Sequence, residues 1–212
     1  MNNRNRGALF DLDGVIIDTE GIYSSFWGAI DERYPTGVAN FPQAIKGMNL
    51  QEILANYFPT AEIQAKVQKI LDDFQREMRY EYFPDAMELV ASLRKKGFTT
   101  CIVTSSDEKK MKHLATQHPD FKQAFDFFVT GDMVSHAKPH PECYLLAAKM
   151  ANCDIKDCIV FEDSINGLKS GLASGAKVVG LTTTYGADVV EPLCHIMADN
   201  LKDVALEMLL EL

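Results

Sequence analysis

The stretch "ALFDLDGVIIDTE", residues 8–20, decides the fold. A short apolar run ends on two aspartates, Asp11 and Asp13, one residue apart. Gly14 follows, then a second apolar run and a third acid, Asp18. An apolar run of this length, stopped by turn residues, reads as a buried strand. The question it poses is why such a strand ends by bringing two carboxylates into one small space.

Four further short apolar runs read as strands: "TTCIVTS" at 99–105, "DFFVTG" at 126–131, "CIVFED" at 158–163 and "KVVGLT" at 177–182. Between them lie stretches of helical periodicity. In "DAMELVASLRKKG", Met87, Leu89, Val90 and Leu93 are apolar, Lys95 and Lys96 occupy the last turn, and Gly97 closes it. Strands alternating with helices predict βαβ units, hence an α/β chain with a parallel sheet and helices on both faces. About 85 residues separate the first strand from the second, far more than one crossover needs. Their helical segments, "TEGIYSSFWGAIDERY", "NLQEILANYF" and "AEIQAKVQKILDDFQREMRY", are punctuated by Pro35, Gly37, Pro42, Gly47 and Pro59. The expected organisation is an α/β core of residues 1–16 and 83–212, interrupted by a helical insertion at 17–82.

The polar residues fall at strand ends. Asp11 and Asp13 end the first strand, Thr104 and Ser105 the second, Lys138 follows the third, and Glu162 and Asp163 end the fourth. In an open parallel sheet, ligands bind beyond the carboxyl ends of the strands. Four carboxylates converging there raise one another's pKa and cannot all stay ionised without a positive partner. One lysine is too little, and a hard divalent cation with oxygen ligands, Mg²⁺, is the economical solution. Because Mg²⁺ keeps waters and accepts phosphate oxygens, the cluster points to phosphoryl chemistry. Taken singly each signal is weak: Asp163–Ser164 also reads as a helix N-cap, Lys138 as a solvated loop lysine, and Thr104 as a turn residue. Gly14 stands fourth, not sixth, from Asp11, which excludes an EF-hand loop. The joint order, each group after its own strand, carries the reading.

That order resembles the haloacid dehalogenase superfamily of phosphohydrolases. "DLDGVIIDTE", "VTSS", "KPHPE" and "FEDSINGLKSGLASG" match its four motifs, and the insertion matches the helical cap of the β-phosphoglucomutase-like branch. The resemblance implies a Rossmann-like sheet of order 5-4-1-2-3 with an inserted all-helical cap. It implies that Asp11 attacks phosphorus and Asp13 serves as acid and base. Thr104, Ser105 and Lys138 would hold phosphoryl oxygens. Mg²⁺ would lie on Asp11, the Asp13 carbonyl and Asp163, with Glu162 in or next to the shell. Branch members that are mutases carry a histidine and an arginine in the cap, at positions that align with Tyr23 and near Leu50 here. Leucine cannot hold a second phosphate, although Lys46 stands close by as a point charge. The expected function is therefore a Mg²⁺-dependent phosphatase of a small phosphorylated metabolite. A phosphosugar mutase is the first alternative and a noncatalytic binding protein the second.

Composition sets the outer limits. Of 212 residues 47% are hydrophobic and 24% charged, ordinary for a folded domain with a substantial core. A formal net charge of -9 speaks against nonspecific nucleic-acid binding, which needs clustered Lys and Arg. Five cysteines without CxxC spacing read as reduced thiols. "MNNRNRG" lacks the apolar core of a signal peptide, and no apolar stretch approaches the roughly 20 residues that span a bilayer. A cytoplasmic protein without membrane or nucleic-acid partners is expected, monomeric by default with a homodimer as the alternative. Gly167, Gly171 and Gly175 suggest close helix–sheet packing. The five histidines show no ligand spacing.

Overall fold

The structure, a computed structural model, describes residues 5–212. Residues 1–4, and with them part of the leader reading, lie outside the described residues. The chain runs β1 (Arg6–Phe10), α1 (Glu20–Arg33), α2 (Phe41–Ala44), α3 (Leu50–Tyr57), α4 (Ala61–Glu77), α5 (Ala86–Lys95) and β2 (Phe98–Val103). It continues through α6 (Glu108–Gln117), α7 (Phe121–Ala124), β3 (Phe127–Val129), α8 (Glu142–Met150), β4 (Cys158–Glu162) and α9 (Ile165–Ser174). It ends with β5 (Lys177–Leu181), α10 (Ala187–Val190), β6 (Ile196–Ala198) and α11 (Leu206–Glu211).

All strand pairs are parallel, in the order β3-β2-β1-β4-β5-β6. Read from the other edge, β1 to β5 follow the expected 5-4-1-2-3, with β6 outside β5. The sixth strand was not anticipated. β6 is three residues long, half-buried, and pairs with β5 alone, so its sequence carries neither the length nor the apolar density of a central strand.

β1 is central and buried on both faces. Ala8 and Phe10 pack on one side with Ile102, Ile159 and Phe161 and with helices α5 and α6. Leu9 packs on the other with Cys101, Val103 and Val160 and with α8 and α9. The period of two puts alternate residues of one run into two cores. Phe10 and Phe161 stack across neighbouring strands at 4.4 Å. Gly171 lets α9 approach the sheet, since a Cβ there would meet Val160 and Val178 at 3.1 and 3.0 Å. Gly175 has another use: at φ +87° it ends α9 in the left-handed conformation.

The helices of residues 20–77 bury a cluster of their own around Phe26, Trp27, Phe41, Phe58, Val67 and Leu71. Their starts follow from capping. Asn49 and Thr60 accept the backbone N–H of Glu52 and Ile63 at 2.9 and 3.3 Å. The two segments that tie these helices to the sheet run side by side: Ile17 bridges Tyr82, Asp18 N–H donates to the Glu81 carbonyl, and Phe83 N–H donates to that of Ile16. All five cysteines are free, and among the described residues no helix is long and apolar enough to cross a membrane.

Candidate active site

The β1 backbone does not stop where its side chains turn polar. Asp11 N–H still donates to the Phe161 carbonyl, and Thr104 N–H to that of Val129, so both side chains are delivered at the sheet's carboxyl edge. The chain then turns at Gly14, φ +79°, where a Cβ would stand 2.0 Å from Asp163 Oδ2. Only glycine fits this turn and this approach.

The two aspartates face different ways. Asp11, buried, receives the Lys138 ammonium at 2.6 Å. Lys138 also donates to Glu162 at 2.5 Å and to the Val103 carbonyl at 3.1 Å. Asp13 turns instead toward Thr19, whose hydroxyl donates to it, toward Ser106 at 3.1 Å, and toward Lys110, whose ammonium reaches both carboxylate oxygens.

Glu162 is wholly buried and saturated. Its Oε1 accepts from Lys138 and, at 2.8 Å, from the Tyr144 hydroxyl. Its Oε2 accepts from the N–H groups of Asp163 and Ser164 and from the Ser164 hydroxyl. This crowding needs Gly167, where a Cβ would lie 1.9 Å from the Glu162 carboxyl carbon. Ser164 caps α9, accepting from Gly167 N–H at 3.0 Å. The N-cap reading of this stretch thus holds for Ser164 and leaves both acids to the site.

Asp163 differs from Glu162. Its Oδ2 accepts from Thr184, while its Oδ1 is buried with no hydrogen-bond partner. Oxygens of Asp11, Glu162 and Asp163 lie within 4.8 Å of one another. Burial drives the Asp11 carboxyl up to about 8, against the pull of Lys138, and pushes Asp163 well above the carboxylate range, with Glu162 adding to the push. Burial also disfavours the Lys138 ammonium, but Asp11 and Glu162 outweigh it and raise its pKa. Were all five carboxylates (Asp11, Asp13, Glu20, Glu162 and Asp163) ionised beside the three ammonium groups (Lys46, Lys110 and Lys138), two negative charges would stand uncompensated, and the raised Asp11 and Asp163 hold protons in their place. An orphaned buried oxygen, an all-oxygen donor set and two carboxyls that only a cation would keep ionised fit a hard divalent cation.

Thr104 is buried and accepts Ser106 N–H at 3.0 Å, which leaves its hydroxyl hydrogen for a ligand. Ser105 donates instead to the Gly47 carbonyl at 3.1 Å, a contact with the helical insertion. A second such contact joins Asn166 to the Lys46 carbonyl at 3.1 Å. The insertion thereby covers a cavity of about 280 Å³, floored by Asp11 and Asp13. Tyr23, Lys46 and Leu50 all reach its lining. Lys46 is paired with Glu20 at 2.5 Å. Tyr23 accepts from Gln75 at 3.0 Å, and its ring lies 4.4 Å below the Lys110 ammonium.

Sequence reasoning missed Lys110, Ser106, Tyr144, Thr183 and Thr184. Thr183 donates to the Gly14 carbonyl at 2.6 Å, beside the Thr184 contact to Asp163. The run "LTTTYG" follows β5 at the same sheet edge, a signal of the kind already used for the other strands. The exposed His136 and His140 and the half-buried Glu142 also come together, but loop closure accounts for it: Glu142 accepts the N–H groups of Ser135 and His136 and the ring of His136.

A central strand ending in two acids, a buried lysine and an acidic pair on the next strand, all under a helical insertion, define a Rossmann-like hydrolase. Residues 6–175 match the family model for haloacid dehalogenase-like hydrolases, and the chain belongs to that family. It is 29% identical over 184 residues to hexitol phosphatase A of Escherichia coli, covering 84% of this chain and 83% of the relative. It is 29% identical to a probable pseudouridine-5'-phosphatase of Saccharomyces cerevisiae, with 82% and 81% covered. A 26% match to a bifunctional riboflavin kinase/FMN phosphatase of Arabidopsis thaliana covers 94% of this chain but only 54% of that protein, so the chain spans about half its length. Among solved structures, a hydrolase from Pseudomonas syringae superposes with a TM-score of 0.82 at 25% identity, covering 98% and 99% of the two chains. A β-phosphoglucomutase from Clostridium difficile gives 0.80 at 20% identity, covering 98% and 96%, a likeness of fold.

Proposed function

We propose that this protein is a Mg²⁺-dependent phosphatase of a small phosphorylated metabolite. The observation that carries the reading is the divergence of Asp11 and Asp13 at the end of one strand. Both line the covered cavity, but Asp11 faces the buried acids and Lys138, and Asp13 faces Thr19, Ser106 and Lys110. Residues 1–16 and 83–212 would form the catalytic core and 17–82 a cap over it.

Asp11 is placed to form a bond to phosphorus as the ester P–O bond breaks, giving an aspartyl-phosphate. Asp13 gives its proton to the leaving oxygen, then takes one from the water that cleaves the aspartyl-phosphate. Lys138 and the hydroxyl of Thr104 hold phosphoryl oxygens, and Ser105 joins this loop to the cap. Mg²⁺ would be held by the Asp11 and Asp163 side chains and the Asp13 carbonyl, with saturated Glu162 behind them. When bound it supplies charge that stabilises the transferring group. The cap excludes water from this step.

A phosphatase fits better than a mutase. A mutase must hold a second phosphate away from the metal. Away from the buried acids the cavity offers only Lys46 and Lys110, which are engaged by Glu20 and Asp13, and Tyr23 and Leu50 add no cation. The cavity volume suits a small metabolite, and the names of the hexitol and carbohydrate phosphatases among the relatives support a sugar or polyol ester. A panel of phosphorylated sugars, polyols and nucleosides, assayed for phosphate release with Mg²⁺ and with excess chelator, tests the reading. Turnover that survives chelation contradicts the metal's role. Conversion of β-glucose 1-phosphate to glucose 6-phosphate faster than phosphate release, with a trace of the bisphosphate, favours the mutase.

A further inference from the structure

Lys110 is 2% exposed, at the inward face of α6, in a stretch otherwise rich in solvent-facing charge. Its ammonium lies against both oxygens of Asp13, at 2.5 Å from Oδ2. It lies over the ring of Tyr23, centroid at 4.4 Å, and the Tyr23 hydroxyl is fixed by Gln75 of α4. Lys110 therefore fills a seat built from two sides, Asp13 on the core and two cap helices opposite. Burying an ammonium costs several kcal/mol unless charge and hydrogen bonds offset it. Here the offset is the Asp13 carboxylate, held also by Thr19 and Ser106.

We infer that Lys110 is a positioning residue for Asp13, through which the closed cap fixes the acid on the leaving-group side. The inference rests on the phosphatase reading. In the first half-reaction Asp13 passes its proton to the ester oxygen as the P–O bond breaks, and the carboxylate left behind lies against the Lys110 ammonium. In the second, that carboxylate takes a proton from the attacking water as the bond from phosphorus to Asp11 breaks. Lys110 takes no part in either proton transfer. Its contribution is orientation and local charge, felt most when the leaving oxygen is a poor leaving group that needs the proton.

The test compares Lys110→Met and Lys110→Arg with the native enzyme on p-nitrophenyl phosphate and on alkyl phosphates such as glycerol phosphate and hexitol phosphates. Methionine is similar in volume and keeps the buried seat filled. Lys110→Met is expected to lower kcat on alkyl esters about 10²-fold. The loss on the nitrophenyl ester should be at least tenfold smaller, and Lys110→Arg should recover most of the difference. Equal losses on both ester classes, or none, overturn the inference and leave Lys110 a packing residue. A double-mutant cycle in thermal unfolding, Lys110→Met with and without Asp13→Asn, adds a readout free of activity. Non-additive shifts in Tm are expected, and additive shifts contradict the pairing. If the native enzyme hydrolyses none of the esters, the phosphatase reading fails, and the cycle still decides whether Lys110 holds Asp13.

Discussion

Buried between Lys138 and two other acids, the Asp11 carboxyl titrates far from its ordinary value of 3.8, at about 8. A raised acid binds more protons folded than unfolded, so without metal the protein loses stability as pH rises between about 4 and 8. Mg²⁺ should reverse this, raising Tm more at pH 8 than at pH 5. Asp11→Asn should flatten the metal-free profile and cut turnover by about 10⁴-fold or more. Thermal melts at the two pH values, with and without Mg²⁺, check the first point, and single-turnover assays the second. An unchanged pH profile in Asp11→Asn would assign the slope to other groups. Asp11 and Thr104 were legible because they close apolar runs, Asp13 and Asp163 because they sit a residue or two beyond one; Lys138 lies in a loop well past β3, and the motif "KPHPE" pointed to it. Lys110 was hidden among the lysines of "DEKKMKH", yet it shares a face with Met111 and Leu114, the one trace of its burial in the sequence.

At the scale of elements, two hydrogen bonds latch the insertion onto the sheet edge, Ser105 to Gly47 and Asn166 to Lys46. Asn166 sits in the first turn of α9 and touches neither Asp11 nor Asp13. A single net hydrogen bond contributes about 0.5–1.5 kcal/mol. Asn166→Ala should therefore raise KM by about two- to tenfold with a smaller change in kcat, as steady-state assays on the best substrate of the panel would show. A fall in kcat alone would mean that this contact is not part of closure. The helices flanking the latch were readable from capping residues and periodicity, and their observed ends lie within a few residues of the expected ones. The latch was not. Backbone carbonyls accept both bonds, and a carbonyl leaves no mark on a sequence.

The molecule as a whole holds separate hydrophobic clusters, two on the faces of the sheet and one within residues 20–77. Phe41 centres the third, wholly buried and edge-on to Trp27, Tyr57 and Phe58. Phe41→Ala should cost about 3–5 kcal/mol, confined to that cluster. In urea the variant is expected to show an early transition in the fluorescence of Trp27, the only tryptophan, ahead of the loss of sheet signal by circular dichroism. One coincident transition would show that the clusters unfold as a unit. Periodicity made the parallel sheet and the helical insertion legible. The sixth strand and the way the insertion sits over the site depend on contacts between distant segments, which no local pattern records.

The paired crossing of Ile17 and Tyr82 has a consequence for how such a chain can diversify. The backbone leaves the sheet and returns to it through two segments joined by an antiparallel bridge, about 5 Å apart. To the sheet, everything between those two residues is a loop with fixed ends. A different insert grafted at the same two positions would leave Asp11, Lys138 and Asp163 on their original supports. A new cover can then be acquired by exchanging one contiguous stretch of coding sequence, while the groups at the sheet edge are inherited intact.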